Sequence, residues 1–177
     1  MRALIVYESI YGNTHAVAEG IAAGLRPHAD VRVVPIHAAT GELVAWADLV
    51  IVGGPTHAHG MTRASTRKGA VEAAAKPDSD LTLDPGAAGP GVREWLGSLG
   101  RAHGARAAAF DTRVEGPAMF TGRACGGIAN GLRHLGYTLV AEPESFLVDR
   151  HTHLVAGEAD RAARWGARLA ETLVTAT

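Results

Sequence analysis

The chain has 177 residues, which is enough for one compact domain and short for two. Its net charge of −1 argues against a dedicated nucleic-acid binder, which needs a basic surface to neutralise phosphates, and its one cysteine excludes an internal disulfide. The lack of a disulfide fits a reducing cytoplasm, and no run approaches the roughly 20 apolar residues of a membrane helix. We therefore expect one cytoplasmic domain over residues 1–177 without membrane insertion.

Short apolar runs alternate with amphipathic segments in the first half of the chain. Ala3–Tyr7 is continuously apolar, which is typical of a strand buried on both faces of a parallel sheet. The spacing of apolar residues predicts a helix over Asn13–Arg26, which the following proline ends. Val31–Ile36 and Asp48–Gly53 are strand-like, and Arg63–Ala75 can form a helix.

The second half continues the alternation after a segment rich in Pro, Gly and Asp, Lys76–Pro90, which predicts an exposed loop. The predicted elements that follow are a helix over Val92–Leu99, a strand over Arg106–Phe110, a helix over Gly122–Leu135, strands over Thr138–Ala141 and Ser145–Val148, and a helix over Glu158–Val174 with Trp165, Leu169 and Leu173 on one face. Strands that alternate with helices indicate an α/β fold, with a mainly parallel sheet between two helical layers.

The segment between the first strand and the first helix carries the chemistry. It reads Ser9, Ile10, Tyr11, Gly12, Asn13 and Thr14. A helix N-terminus offers unpaired N–H groups and a partial positive charge, so it favours phosphate. Hydroxyl and amide side chains add neutral donors, and the segment contains no Lys or Arg. This set suits a terminal monophosphate, and the sequence lacks the glycine-rich motifs of nucleoside-triphosphate and dinucleotide sites.

The pattern [ST]-x-[TY]-G-N-T after the first strand resembles the phosphate loop of flavodoxins and flavodoxin-like domains. Ser9, Tyr11, Gly12, Asn13 and Thr14 all match it. The resemblance implies a three-layer, doubly wound fold with a five-stranded parallel sheet in the order 2-1-3-4-5. It also implies a non-covalently bound flavin mononucleotide (FMN) that serves electron transfer.

Two more loops are expected beside the flavin, because ligands of doubly wound sheets bind beyond the carboxyl ends of the strands. By the resemblance, the loop after the third strand contributes Pro55, Thr56, His57, Ala58, His59 and Gly60, and the segment after the fourth contributes Asp111, Thr112 and Arg113. Backbone N–H groups of these loops are implied to bind the edge of the isoalloxazine ring.

The loop after the third strand departs from the electron-carrying flavodoxins, which usually stack Trp or Tyr on the ring. It offers His57 and His59, either of which could serve as a proton donor, and Phe120 could reach the ring if its loop folds back. The pairs His57/His59 and His151/His153 lack the clustered ligands of a metal site, so no metal is expected.

Arg113 has two open interpretations. Its guanidinium could lie near the pyrimidine side of the flavin, where a cation favours the anionic reduced form and raises the potential. Alternatively, it is a surface residue that pairs with Asp111 or Glu115.

Three functions remain open at this stage. The first is an electron carrier between redox partner proteins, and the second is an NAD(P)H-dependent flavin or quinone reductase on the same fold. The third is an interaction module that no longer binds flavin, against which the intact phosphate loop argues. The oligomeric state is not predicted.

Overall fold

The computed structural model describes the backbone of residues 1–174 and the side chains up to residue 172. Its strands are β1 (Arg2–Tyr7), β2 (Asp30–Pro35), β3 (Leu49–His57), β4 (Gly60–Met61), β5 (Arg106–Val114), β6 (Thr138–Leu139) and β7 (Glu144–Val148). Its helices are α1 (Asn13–Leu25), α2 (Gly41–Trp46), α3 (Ala64–Ala74), α4 (Val92–Ser98), α5 (Ala118–Thr121), α6 (Ala124–His134) and α7 (Glu158–Val174), with a 3-10 turn at Ile36–Ala38.

The sheet confirms the doubly wound α/β fold. Its strands run in the order β2-β1-β3-β5, with all neighbours parallel, and both β6 and β7 pair with the far edge of β5. The expected order therefore holds, but the fifth strand is divided in two. Residues 140–143 interrupt it, and Pro143 cannot donate the N–H that a continuous strand needs. A short antiparallel hairpin, β3–β4, is additional.

The alternation of side chains along β1 divides the core into two layers. Ile5 packs with the apolar faces of α1 and α7 on one side of the sheet. Leu4 and Val6 pack with the other layer, which contains α4 and α6. Trp165 and Leu169 of α7 are buried as the spacing predicts, whereas the side chain of Leu173 lies outside the described residues. Burial on both faces explains why the central strands are uninterrupted apolar runs.

Two central strands extend further than their apolar runs predict. β3 continues through the residues expected to form a loop, as far as His57, and β5 continues through Asp111, Thr112 and Arg113 to Val114. These polar residues pair in register, for example Pro55 with Thr112. The prediction that they form loops after the strands was therefore wrong, because backbone pairing with the neighbouring strand continues where the apolar pattern stops.

Candidate flavin site

A cleft opens at the carboxyl end of the sheet. It lies at the ends of the adjacent strands β1 and β3, which form the switch point of a doubly wound sheet with this strand order. Its lining residues are Ile10, Tyr11, Asn13, Thr14, Pro55, Thr56, His57, Thr112, Arg113, Val114, Val148 and Thr152. All three predicted segments therefore contribute to one cleft.

The phosphate loop reaches α1 through a left-handed glycine. Gly12 has φ 88° and is the residue before the helix, and no side chain caps the first turn. The Gly12 N–H donates to Ser9 Oγ at 3.1 Å, which fixes the turn. Ser9 is buried and does not itself line the cleft. The helix therefore begins with N–H groups that a side chain does not satisfy, at a point that favours an anion.

Hydrogen bonds join the phosphate loop to two neighbouring segments. Thr14 Oγ1 and Thr112 Oγ1 lie 2.8 Å apart, which connects the start of α1 with β5. Asn13 Nδ2 donates to the carbonyl of Thr152 at 2.6 Å. Thr152 follows β7, has φ 62° and lines the cleft with Val148. These bonds hold the loop in position from both sides.

Val148 and Thr152 are lining residues that the sequence analysis did not identify. They lie at the end of β7 and in the turn after it. Their chain neighbours form a compact turn in which the Asp149 carboxylate accepts the N–H groups of His151 and His153. An aspartate followed by polar residues is also typical of any surface turn, so this signal was too general to indicate a ligand site.

Asp111 lies beneath the cleft, where it supports the surrounding structure. It is fully buried, and its Oδ2 accepts the Cys125 N–H at the start of α6 at 2.8 Å and the Thr56 hydroxyl at 3.1 Å. Thr56 Oγ1 in turn accepts the N–H of Ala124. Asp111 therefore anchors α6 to β3 and β5, and it does not line the cleft. Cys125 is fully buried in the same region.

The β3–β4 hairpin turns through Ala58 and His59, both of which have a left-handed backbone, with φ 47° and 71°. Two left-handed central residues are typical of the tight turn that matches strand twist. The turn carries Ala58, His59 and Gly60 away from the first cleft and onto the wall of a second one. Of the hairpin residues predicted to bind cofactor, only Pro55, Thr56 and His57 line the first cleft.

His57 lines the first cleft. Burial lowers the pKa of its imidazole below the ordinary value of 6.5, which favours the neutral ring. A neutral imidazole both donates and accepts a hydrogen bond. His57 can therefore hold a proton at one ring nitrogen without adding a charge to the cleft.

Arg113 lines the cleft and is held by its own loop. One of its terminal nitrogens, Nη1, donates to the Gly116 carbonyl at 2.7 Å and to Thr121 Oγ1 at 3.0 Å. Among the described residues it forms an ion pair with neither Asp111 nor Glu115, so the predicted surface pairing was wrong. Its Nε is buried without a hydrogen-bond partner in the described part of the chain. This donor is a group that a ligand could satisfy.

The loop that carries Phe120 does not fold back over the cleft. Phe120 and Met119 lie on α5, where they are 70 % and 81 % exposed, and Phe120 does not line the cleft. The aromatic side chain at the cleft, apart from His57, is Tyr11, whose hydroxyl donates to the Ala70 carbonyl at 3.1 Å. That bond connects the phosphate loop to α3.

A buried polar network underlies the phosphate loop, and the sequence analysis did not identify it. Glu8, the residue before the loop, accepts the Thr62 hydroxyl at 2.5 Å and the Val92 N–H at 2.8 Å. Arg67 donates to Thr62 at 2.9 Å and forms an ion pair with Glu94 at 3.2 Å. Glu8 and Arg67 are each only 5 % exposed. The network connects the end of β1 with the starts of α3 and α4, so it fixes the base of the loop.

Glu8 makes the stability of the fold depend on pH. Burial raises the pKa of its carboxyl, and the bonds from Thr62 and Val92 and the charge of Arg67 offset this only in part. The folded state therefore holds this proton more tightly than the unfolded state, so its contribution favours folding at low pH. This contribution to stability declines as pH rises from the pKa of Glu8 in the unfolded state toward its raised pKa in the folded state.

We expect Glu8→Gln to flatten this dependence. The free energy of unfolding of wild type minus that of Glu8→Gln should fall as pH rises above about 4.5. Urea unfolding of both proteins between pH 4 and 8 measures the difference. A difference that stays constant across this range would contradict the raised pKa.

The cleft fits FMN on three structural grounds. The first turn of α1 has no side-chain cap, and a Cβ placed on Gly12 would meet open space, so there is room for a phosphate. The donors at that end are neutral, as a monophosphate held by geometry requires. At the other end, the Arg113 Nε has no protein partner in the described residues. No group of three or more potential metal ligands is found among the described residues.

Comparison with known proteins gives a family match over the first part of the chain. Residues 4–67 match the model of the flavodoxin domain family. No curated protein matches the chain in sequence. No helix in the described part of the chain is long and apolar enough to cross a membrane.

Solved structures with the same fold extend the similarity beyond the matched segment. A flavodoxin from the domain Archaea superposes with a TM-score of 0.66 at 22 % identity, over 98 % of this chain and 99 % of that one. Oxidised flavodoxin 1 from Bacillus cereus gives 0.65 at 16 % identity, over 97 % and 98 %. A flavodoxin, WrbA-like protein from Agrobacterium tumefaciens gives 0.62 at 18 % identity, over 99 % of each chain. The chain therefore has a flavodoxin-like fold, and its residues 4–67 match the flavodoxin domain family model.

Proposed function

We propose that the chain binds FMN non-covalently in the cleft at the end of the sheet and uses it to transfer electrons. The observation that carries the proposal is the uncapped start of α1 behind Gly12, inside a cleft that also contains the ends of β3 and β5. A helix start that favours an anion, beside the ends of two strands, suits a phosphorylated ring system.

Residues at the two ends of the cleft have different tasks in this proposal. The N–H groups at the start of α1 and the hydroxyl of Thr14 bind the phosphate. Pro55, Thr56 and His57 form a wall beside the ring, and Arg113 supplies a positive charge at the ring end. FMN, when bound, supplies reversible one- and two-electron chemistry, and the protein sets its potential through charges and hydrogen bonds.

The test of this function is the redox behaviour of the purified full-length chain after loading with FMN. We expect one FMN per chain, retained on gel filtration, and a reduction potential shifted from that of free FMN. A matched loading with a Thr14→Val variant, which removes the hydroxyl at similar volume, should bind FMN more weakly. A chain that retains no FMN, or one whose bound FMN has the potential of free FMN, would contradict the proposal.

A reductase is the second candidate function, because a further cleft adjoins the flavin cleft. His57 lines both. A carrier needs only an exposed flavin edge, whereas a reductase must also bind a small electron donor. Mixing the FMN-loaded chain with NADPH alone separates the two functions, since only the reductase loses its yellow colour without a partner protein.

Arg113→Gln should make the reduction potential of bound FMN more negative. A positive charge near the ring stabilises the anionic reduced form relative to the neutral oxidised one, and the substitution removes the charge while keeping hydrogen-bonding capacity. We expect a shift on the order of 30 mV, which for a two-electron couple corresponds to about 1.4 kcal/mol. Arg164→Gln, an exposed residue of α7, is the control and should leave the potential unchanged. An unchanged potential in Arg113→Gln would exclude it from the ring end of the site.

A further inference from the structure

A second cleft is also lined by His57. It is formed by the β3–β4 hairpin, the start of α3 and Arg93 of α4. Its lining residues are His57, Ala58, His59, Gly60, Met61, Arg63, Ser65, Thr66 and Arg93. His57 therefore lines both clefts, and a ligand in the second cleft would lie beside a ligand in the first.

The charge of the second cleft is entirely positive. Its lining residues include two arginines and no carboxylate. Among the described residues, neither Arg63 nor Arg93 forms an ion pair with Asp or Glu. Arg67, by contrast, is paired with Glu94 and lies buried in the network beneath the phosphate loop. Two uncompensated guanidinium groups in one concave surface favour an anion that can accept several hydrogen bonds.

The two arginines of the second cleft come from different segments, Arg93 from α4 and Arg63 from the residue before α3. Arg93 is exposed and donates from Nε to the Thr62 carbonyl at 3.4 Å and from Nη2 to the Met61 carbonyl at 3.3 Å. These contacts steady the side chain without neutralising it. Arg63 precedes α3, and its backbone N–H donates to Thr66 Oγ1 at 2.9 Å. Ser65, exposed in the first turn of α3, adds a hydroxyl to the same surface.

We propose that the second cleft binds the phosphate groups of a reduced pyridine dinucleotide, with Arg63 and Arg93 as the phosphate ligands. This assignment rests on the proposed flavin function and names the electron donor of its reductase form. A dinucleotide suits the site because its phosphates lie at a distance from its nicotinamide. The phosphates can bind in the second cleft while the nicotinamide extends past His57, where the second cleft meets the flavin cleft. The 2′-phosphate of NADPH adds negative charge, with which the two arginines can pair. We therefore expect NADPH to be preferred over NADH.

In the redox step that this donor supports, the flavin accepts the electrons that the donor loses. A C–H bond of the dihydronicotinamide breaks, and its two electrons and the proton leave together as hydride to the flavin. The donor is released as the oxidised pyridinium. No further oxidant or reductant is needed for this half-reaction. The electrons then leave to an acceptor in a second step.

The test is calorimetric titration of the full chain, with and without FMN, using 2′,5′-ADP as the probe. Single variants Arg63→Gln and Arg93→Gln and the double variant are compared with Arg133→Gln, an exposed residue of α6 outside the cleft. We expect each single variant to weaken 2′,5′-ADP binding by about tenfold or more, with a larger loss in the double variant. Arg133→Gln should bind like wild type, and 5′-AMP should bind wild type more weakly than 2′,5′-ADP does.

The outcomes separate this proposal from the flavin assignment. FMN affinity should be the same in all four variants, because the two arginines lie outside the flavin cleft. If the chain binds no FMN but still binds 2′,5′-ADP through Arg63 and Arg93, the flavin function fails and the phosphate site stands. If FMN binds but 2′,5′-ADP does not, or if its binding is unchanged in the double variant, the proposal is overturned. Equal bleaching rates by NADPH in wild type and the double variant would overturn it as well.

Discussion

Gly122→Ala is expected to lower both the stability of the fold and its affinity for FMN. Gly122 has φ 77°, and a Cβ at this position would lie 2.2 Å from the Cα and 2.3 Å from the carbonyl oxygen of His59. Because the obstacle is backbone, the hairpin that carries His57 into the flavin cleft must shift. We expect a loss of about 2–4 kcal/mol in the free energy of unfolding and a weaker FMN complex, measured by urea unfolding and flavin fluorescence titration.

Gly126→Ala is the matched control for this change. Gly126 lies within α6, and a Cβ there meets nothing within 4 Å. Replacing a helical glycine by alanine stabilises a helix by about 0.5–1 kcal/mol, so this variant should be at least as stable as wild type and should bind FMN equally well. If the two variants had the same free energy of unfolding, the hairpin would not approach Gly122 as closely as the structure shows.

Arg67→Met should cause the second large effect. Met keeps most of the side-chain length but removes the hydrogen bond to Thr62 and the ion pair with Glu94. Removing one member of a buried charged network typically costs about 3–5 kcal/mol, and Arg67 is 5 % exposed. Because the network fixes the base of the phosphate loop, FMN binding should weaken too. Urea unfolding and FMN titration measure both effects.

The loss in Arg67→Met should depend on pH in a defined direction. The charge of Arg67 lowers the pKa of Glu8, against the larger effect of burial, which raises it. Without that charge the pKa rises further, so the loss of stability should be greater at pH 8 than at pH 5, where Glu8 takes up a proton more readily. Arg133→Met, on the exposed face of α6, should change stability by less than about 0.5 kcal/mol at either pH. A loss in Arg67→Met that is larger at pH 5 would contradict this account of the network.

The phosphate loop could be located from sequence because it depends on a local pattern, whereas the order of the strands was implied by the resemblance to flavodoxins. The apolar run of β1 and the polar turn ending in Gly12-Asn13-Thr14 are continuous in the chain, and their physical preferences agree. The left-handed backbone of Gly12 follows from the same turn.

The residues that were not identified depend on contacts between distant segments. Glu8 and Arg67 are 59 positions apart, and charged residues are mostly exposed, so their burial as one network has no local signature. Asp111–Arg113 extend β5 because β3 lies alongside, although their polar character indicates a loop. Phe120 could be placed near the cleft by position, but its exposure depends on how α5 folds, which its short segment does not indicate.

The affinity of the FMN-free chain for FMN, compared with its affinity for riboflavin, tests the central claim most directly. The two ligands share the ring and differ only in the phosphate that the start of α1 is proposed to bind. Two or more charge-assisted hydrogen bonds to phosphate predict that riboflavin binds weaker by on the order of 100-fold or more in a fluorescence titration. Equal affinity for riboflavin and FMN would contradict the account, because the phosphate would then make no contact with the loop.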